Sequence, residues 1–116
     1  MTGAPNDILV HLADYRPSKS GRVFFDRQEL RKILNLYSRR VARGEWRDYA
    51  IDLGENGVAF SVFRHSHDWP LYVIAKLAPR KHKPGGYVVS AGQKTLSRGR
   101  SIDDVLQALE QALEPA

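Results

Sequence analysis

Apolar and polar residues alternate with a period of two across residues 48–63, DYAIDLGENGVAFSVF. Tyr49, Ile51 and Leu53 alternate with Asp48, Ala50 and Asp52, and Val58, Phe60 and Val62 resume the pattern after Gly54-Glu55-Asn56-Gly57. Successive side chains of a strand point to opposite faces, so this spacing predicts two half-buried strands joined by a tight turn. Upstream the period lengthens. Leu30, Ile33, Leu34, Tyr37 and Val41 form one apolar stripe at helical spacing, which should lie on the hairpin sheet. Asp26 and Glu29 precede the stripe in capping-box spacing and Gly44 closes it. Residues 22–25, RVFF, read as a short strand running into that helix.

Downstream of the hairpin, residues 71–77, LYVIAKL, have the β-branched and aromatic content of a third sheet strand. The stretch PRKHKPGG that follows is bounded by proline and glycine and reads as an exposed, mobile loop. Residues 87–90 and 94–97 form a second predicted hairpin across Ala91-Gly92-Gln93. Ser101 with Asp104 repeats the capping-box spacing before a last helix whose apolar face is Ile102, Val105, Leu106, Leu109 and Leu113. The predicted order is therefore β-α-β-β-β-β-β-α. That is an α+β fold, a mostly antiparallel sheet of about five strands packed by two helices. Residues 1–20, rich in breakers, are expected to be a flexible leader, and residues 21–116 one domain, the number that 116 residues can supply with a core.

Charge changes this picture. Eighteen Lys and Arg oppose thirteen Asp and Glu, for a net charge of +5. All eighteen bases lie at or before Arg100, while residues 101–116 hold four acids and no base. The sequence thus predicts a basic body with an acidic end. With no cysteine, thiol catalysis, disulfides and thiolate metal sites are excluded. No apolar run approaches the roughly 20 residues that span a bilayer, and the N-terminus lacks the pattern of a secretory signal, so a cytoplasmic, non-membrane protein is expected.

The words FDRQEL, ILNLY, GEWRDYAID, FSVFR and PLYVI together resemble a family of small bacterial proteins known as domain of unknown function 2794. The resemblance runs from Val23 into the last helix and is most specific at GEWRDYAID. It implies an intact bacterial domain and places Trp46, Arg47, Asp48 and Tyr49 in the family pattern, as packing or binding residues. It brings no activity, cofactor or catalytic set.

Reactive constellations are sparse. His65 and His67 with Asp68 have the residue types of a metal site, but no third protein ligand follows by spacing, so no metal and no other cofactor is expected. Asp48 and Asp52 are about 13 Å apart along a strand, beyond the span of about 9.5 Å that a glycosidase carboxylate pair allows. No serine lies in a nucleophile elbow and no glycine series has phosphate-loop spacing. An enzyme is not predicted. The concentrated feature is positive charge: Arg80, Lys81 and Lys83 in the proline-bounded loop, and Arg98 and Arg100 before the last helix. If folding gathers them, they form a phosphate-tracking surface, on which Phe63, Trp69, Tyr72 and Tyr87 can stack bases where they face outward. Arg39, Arg40 and Arg43 read instead as cations that stabilise a helix C-terminus. Two readings follow. One is a nucleic-acid-binding module using the basic loop and sheet surface; the other is a protein adaptor using the sheet face, the leader or the last helix. The oligomeric state is not legible.

Overall fold

A computed structural model describes residues 23–65 and 69–114. The leader expected at residues 1–20, and Arg22, His67 and Asp68, lie outside the described residues. The elements are α1 (Arg27–Ala42), β1 (Asp48–Gly54), β2 (Gly57–Phe63), β3 (Tyr72–Leu77), β4 (Gly86–Ala91), β5 (Lys94–Gly99) and α2 (Ile102–Leu113). The five strands form one antiparallel meander in the order β1-β2-β3-β4-β5. This is the α+β fold that the sequence predicts.

Helix α1 starts where its cap chemistry dictates. The Asp26 carboxylate accepts the Glu29 N–H at 2.8 Å and the Glu29 carboxylate accepts the Asp26 N–H at 2.7 Å, a complete capping box. The expected strand just before it is absent: residues 23–26 have no regular structure. Phe25 is instead buried together with Leu30 in the core, the N′ and N4 positions that staple a helix entry, so this segment is held by packing without a strand partner. The helix ends in a Schellman motif. Glu45 N–H reaches the Arg40 carbonyl at 3.0 Å and Gly44 N–H the Val41 carbonyl at 2.9 Å, with Gly44 at φ +77°.

The buried face of α1 is rotated from the expected stripe. Leu30, Ile33, Leu36 and Arg40 are buried, Leu34 and Tyr37 are half-buried, and Val41 is exposed. The cause is α2, which runs parallel to α1 along its flank. Lys32–Asp103, Arg39–Glu110 and Arg43–Glu114 are ion pairs with a constant offset of 71 residues, so the two helices point the same way in matched register. Helix α2 is capped by the Ser101 side chain accepting from Asp103 N–H at 3.1 Å. The reciprocal contact expected from Asp104 is not made. An aspartate is one methylene shorter than the glutamate that normally reaches back to the cap.

The helices cover one face of the sheet. Tyr49, Val58, Phe60, Val62, Ile74 and Val89 from that face meet Ile33, Leu36, Val105 and Leu109 in one buried cluster. Its aromatic centre is Tyr49 stacked on Phe60 at 4.8 Å, with Tyr37 4.7 Å from Tyr49. A bulge between Val89 and Ser90 sets Val89 against Ser97 and Ser90 against Thr95. The extra residue is Leu96, and the bulge turns it inward against the core while Arg98, two residues on, stays exposed.

Candidate nucleic-acid interface

The meander fixes which loops share an end. Gly57 pairs with Leu77, Leu77 with Gly86 and Tyr87 with Gly99, so the β1–β2 turn, the β3–β4 loop and the β5–α2 junction lie at one end of the sheet. Both helices begin there as well. Strand β3 stops as its chain turns through Pro79, which has no N–H to continue a ladder. Between Pro79 and Pro84 the loop closes on itself: Arg80 N–H reaches the Lys83 carbonyl and Lys83 N–H the Arg80 carbonyl, each at 2.8 Å. The expected irregular loop is thus exposed but contains a tight turn over Lys81 and His82, with His82 at φ +67°.

That turn sets Arg80 directly opposite Lys83 with Lys81 between them. Like charges directly opposite across a bridge repel. Arg100 lies at the same end, just past the last paired residue of β5. Arg98 departs from this group. It pairs with Val88 and therefore points to the sheet face opposite the helices, one step in from the end. Among the described residues, none of Arg80, Lys81, Lys83, Arg98 and Arg100 forms an ion pair.

Three of the four acids at the acidic end of the chain are engaged by α1 and its C-cap. Asp103, Glu110 and Glu114 pair with Lys32, Arg39 and Arg40 of α1 and with its C-cap Arg43. Arg40 is 4% exposed and bridges Glu45 at 3.2 Å and Glu114 at 3.0 Å. A shallow cleft of about 360 Å³ between the helix C-termini is lined by these same groups. Its arginines already hold carboxylates, which agrees with a stabilising role for Arg39, Arg40 and Arg43 and leaves no free positive charge there for an anion. Acids near the basic end are Glu55 in the β1–β2 turn, Asp26 and Glu29 at the start of α1, the latter paired with Lys76, and Asp103 and Asp104 in the first turn of α2, the former paired with Lys32. Those at the helix starts offset the positive ends of the helix dipoles.

The aromatics do not join the basic end as a stacking platform. Tyr72 and Tyr87 are half-buried against the core. The Tyr87 hydroxyl donates to the Glu29 carboxylate, which also accepts from Lys76 Nζ at 2.7 Å. Phe63 lies half-buried on the face away from the helices, and Trp69, 90% exposed, lies in the β2–β3 loop at the far end.

Of the motif GEWRDYAID, Trp46 and Tyr49 are 2% exposed and pack in the core, so they are structural. Arg47 is exposed, with its N–H on the Phe63 carbonyl at 2.8 Å, and the Asp48 carboxylate accepts the Tyr49 N–H at 2.8 Å. A model of the family described as "Protein of unknown function (DUF2794)" matches residues 23–106, from the entry to α1 through the first turn of α2. The chain belongs to that family. No curated protein and no solved structure matches the chain closely enough to count as a relative. The DUF2794 match thus spans the whole sheet, the basic loop and the core aromatics, and ends before Glu110 and Glu114.

Sequence reasoning missed the Glu29–Lys76–Tyr87 cluster, and it has a measurable consequence. Burial, then the hydrogen bond and negative charge of Glu29, raise the pKa of Tyr87. Burial, with Asp48 and Tyr49 adding, pushes Tyr37 up to about 12, and burial and Asp48 raise Tyr49. Below the ordinary tyrosine value of about 10 both folded and unfolded chains keep these protons. Above it the unfolded chain releases them first, so stability falls as pH rises from about 10 to about 12. Guanidinium midpoints measured from about pH 9 upward should drop through that window, and Tyr37→Phe should flatten the drop. A flat wild-type profile is the contrary result.

Among the described residues, no group of three or more His, Asp or Glu side chains is placed to hold a metal ion. The pair Asp48 and Asp52 lies on the open face of β1, Asp52 exposed.

Proposed function

We propose that this domain is a non-enzymatic module that binds the phosphate backbone of a nucleic acid through Arg80, Lys81, Lys83 and Arg100. The observation that carries this reading is the partition of charge. Asp103, Glu110 and Glu114 are taken up by α1 and its C-cap, leaving Asp104 as the one tail acid without an ion pair among the described residues, while the cations at the β3–β4–β5 end have no carboxylate partner among them. Opposed positive side chains held by a closed turn repel in isolation, and an anion between them relieves that repulsion. With no exposed aromatic beside the loop among the described residues, the contacts are to phosphates without base stacking, so binding is driven by counterion release and is indifferent to sequence.

The test is anisotropy with a short labelled duplex at rising salt. Four phosphate contacts give a log–log slope of roughly −3 to −4, about a hundredfold loss of affinity between ~50 and ~200 mM salt. The triple substitution Arg80→Ala, Lys81→Ala, Lys83→Ala should reduce the slope to about −1. Arg39→Ala with Arg43→Ala, which removes paired cations, should leave it unchanged. Absence of binding at ~50 mM salt, or a slope untouched by the triple substitution, removes the proposal.

The protein-adaptor reading is supported by the sheet face that no helix covers among the described residues; the leader that it also invokes lies outside them. The last helix offers it less, because Asp103, Glu110, Glu114 and the apolar stripe are engaged within the domain and Asp104 alone of its acids has no ion pair among the described residues.

A further inference from the structure

The open face of the sheet carries an ordered charge pattern. The register places Asp52, Ala59, Ala75, Val88 and Arg98 in one row across all five strands. Residues directly opposite on neighbouring strands share a face, and this row lies on the face away from the core residues Phe60, Ile74 and Val89. An acid stands at one edge, a base at the other, and small apolar residues lie between. The adjacent row, Ala50, Ser61, Val73, Ser90, has no charge. Asp52 and Arg98 are exposed and, among the described residues, have no ion-pair partner. Four strand spacings, about 19 Å, separate them, too far to meet within one chain.

We infer that this face docks a second copy of the chain about a two-fold axis parallel to the strands and passing over β3. Such an axis lays β1 of one copy over β5 of the other and keeps each row at its own height. Asp52 then meets Arg98 of the second copy twice over, Ala59 faces Val88, and Ala75 faces itself. The row is antisymmetric about Ala75, which is what an isologous contact requires and what an unrelated partner would match only by coincidence. Small residues let two sheets approach to the usual spacing of about 10 Å. The long Arg98 side chain spans the offset that sheet twist introduces at the edges. A face about 24 Å by about 20 Å buries roughly 500 Å² per copy, at the lower limit for a specific interface, so the dimer is expected to dissociate in the micromolar range.

The inference does not rest on the nucleic-acid reading, since it uses none of the loop cations. Because the axis runs along the strands, both basic ends emerge on the same side of the dimer.

Sedimentation of the full chain from ~1 to ~500 µM is the test, at low salt where edge charges are least screened. The wild type should pass from monomer to dimer. Asp52→Arg alone sets arginine against Arg98, and Arg98→Asp alone sets aspartate against Asp52, so each variant should remain monomeric. Mixed together, the two variants should form a one-to-one heterodimer, because both crossed contacts are then opposite in sign. The double variant Asp52→Arg, Arg98→Asp should dimerise by itself. Both positions are exposed, and circular dichroism checks that the variants fold. A wild type monomeric at every concentration overturns the inference, as expected if residues 1–22 or another protein cover the face. A dimer indifferent to the single substitutions overturns it equally. The variant Arg80→Ala, Lys81→Ala, Lys83→Ala should still dimerise, which separates this result from failure of the phosphate-binding reading.

Discussion

Glu29→Ala should destabilise the domain by about 3 kcal/mol, the cost expected for breaking a buried, hydrogen-bonded charge pair. Glu29 is 6% exposed, and its carboxylate serves three donors: the Asp26 N–H, Lys76 Nζ and the Tyr87 hydroxyl. Truncation removes half of the capping box, worth about 1 kcal/mol, and strands a phenol and an ammonium on an inward face. Lys76 keeps the Phe24 carbonyl at 2.9 Å and is 23% exposed, so it can draw in water and limit the loss. Glu29→Gln keeps the shape but not the charge and should cost less, and Tyr87→Phe should cost about 1 kcal/mol. The coupling is testable because these groups share one network. The double variant Glu29→Met, Lys76→Met should lose less than the two single losses added together, since it leaves no unpaired charge. Denaturant unfolding followed by circular dichroism measures all of these, and a Glu29→Ala midpoint equal to wild type would contradict the account.

The same residue shows where sequence reading stops. Asp26 and Glu29 were legible as a cap because their partners are three residues apart, within the reach of local pattern. Lys76 and Tyr87 are 47 and 58 residues from Glu29, and nothing local marks them as its partners. The hairpin at residues 48–63 was legible for the same reason that the cap was: its register Tyr49↔Val62, Ile51↔Phe60 follows from alternation around a two-residue turn. The stripe of α1 was only partly legible. Helical periodicity locates an apolar face, but the rotation of that face depends on α2, whose Glu114 receives Arg40 from 74 residues away. Without that contact Val41 is the more plausible inward residue.

The candidate interface divides along the same line. Proline, glycine and charge within PRKHKPGG mark an exposed basic loop, and that much depends on local chemistry. Where the tail acids would lie depended on the direction of α2: the parallel pairing with α1 carries Glu110 and Glu114 to the far end and leaves Asp103, paired with Lys32, and Asp104 at the basic end. Arg98 and Arg100 are neighbours in the chain but serve different surfaces, because the β4–β5 register sets Arg98 opposite Val88 on the open face. A bulge one step from that pair fixes the assignment, and a one-residue slip would have turned Arg98 inward.

Gly57→Ala should be the most damaging of the small substitutions, costing about 3 kcal/mol or more. A Cβ at Gly57 would sit 2.1 Å from the Lys76 carbonyl oxygen and 3.1 Å from the Leu77 Cα, and the glycine has φ +152°. Neither obstacle is a side chain that can swing away; both are backbone of β3, so the strands must part where Gly57 pairs with Leu77. Overpacking of this kind costs about 1–3 kcal/mol, and a side chain at such a φ adds about 1–3 more. The strain does not stay local, because displacing β3 also moves Lys76, whose ammonium holds Glu29 against α1. Gly44→Ala supplies the comparison. Gly44 has φ +77° with nothing within 4 Å of an added Cβ, so it carries the conformational cost alone, about 1 kcal/mol. Gly54→Ala, with only an ordinary contact at 3.7 Å, should lie close to wild type. Thermal melts of the three variants should therefore rank Gly57→Ala far below Gly44→Ala and Gly44→Ala slightly below Gly54→Ala, with each kcal/mol worth about 4 °C. Equal losses at Gly57 and Gly44 would mean that the β2–β3 ladder yields to the methyl group, and that the close approach of the two strands is not what requires glycine there.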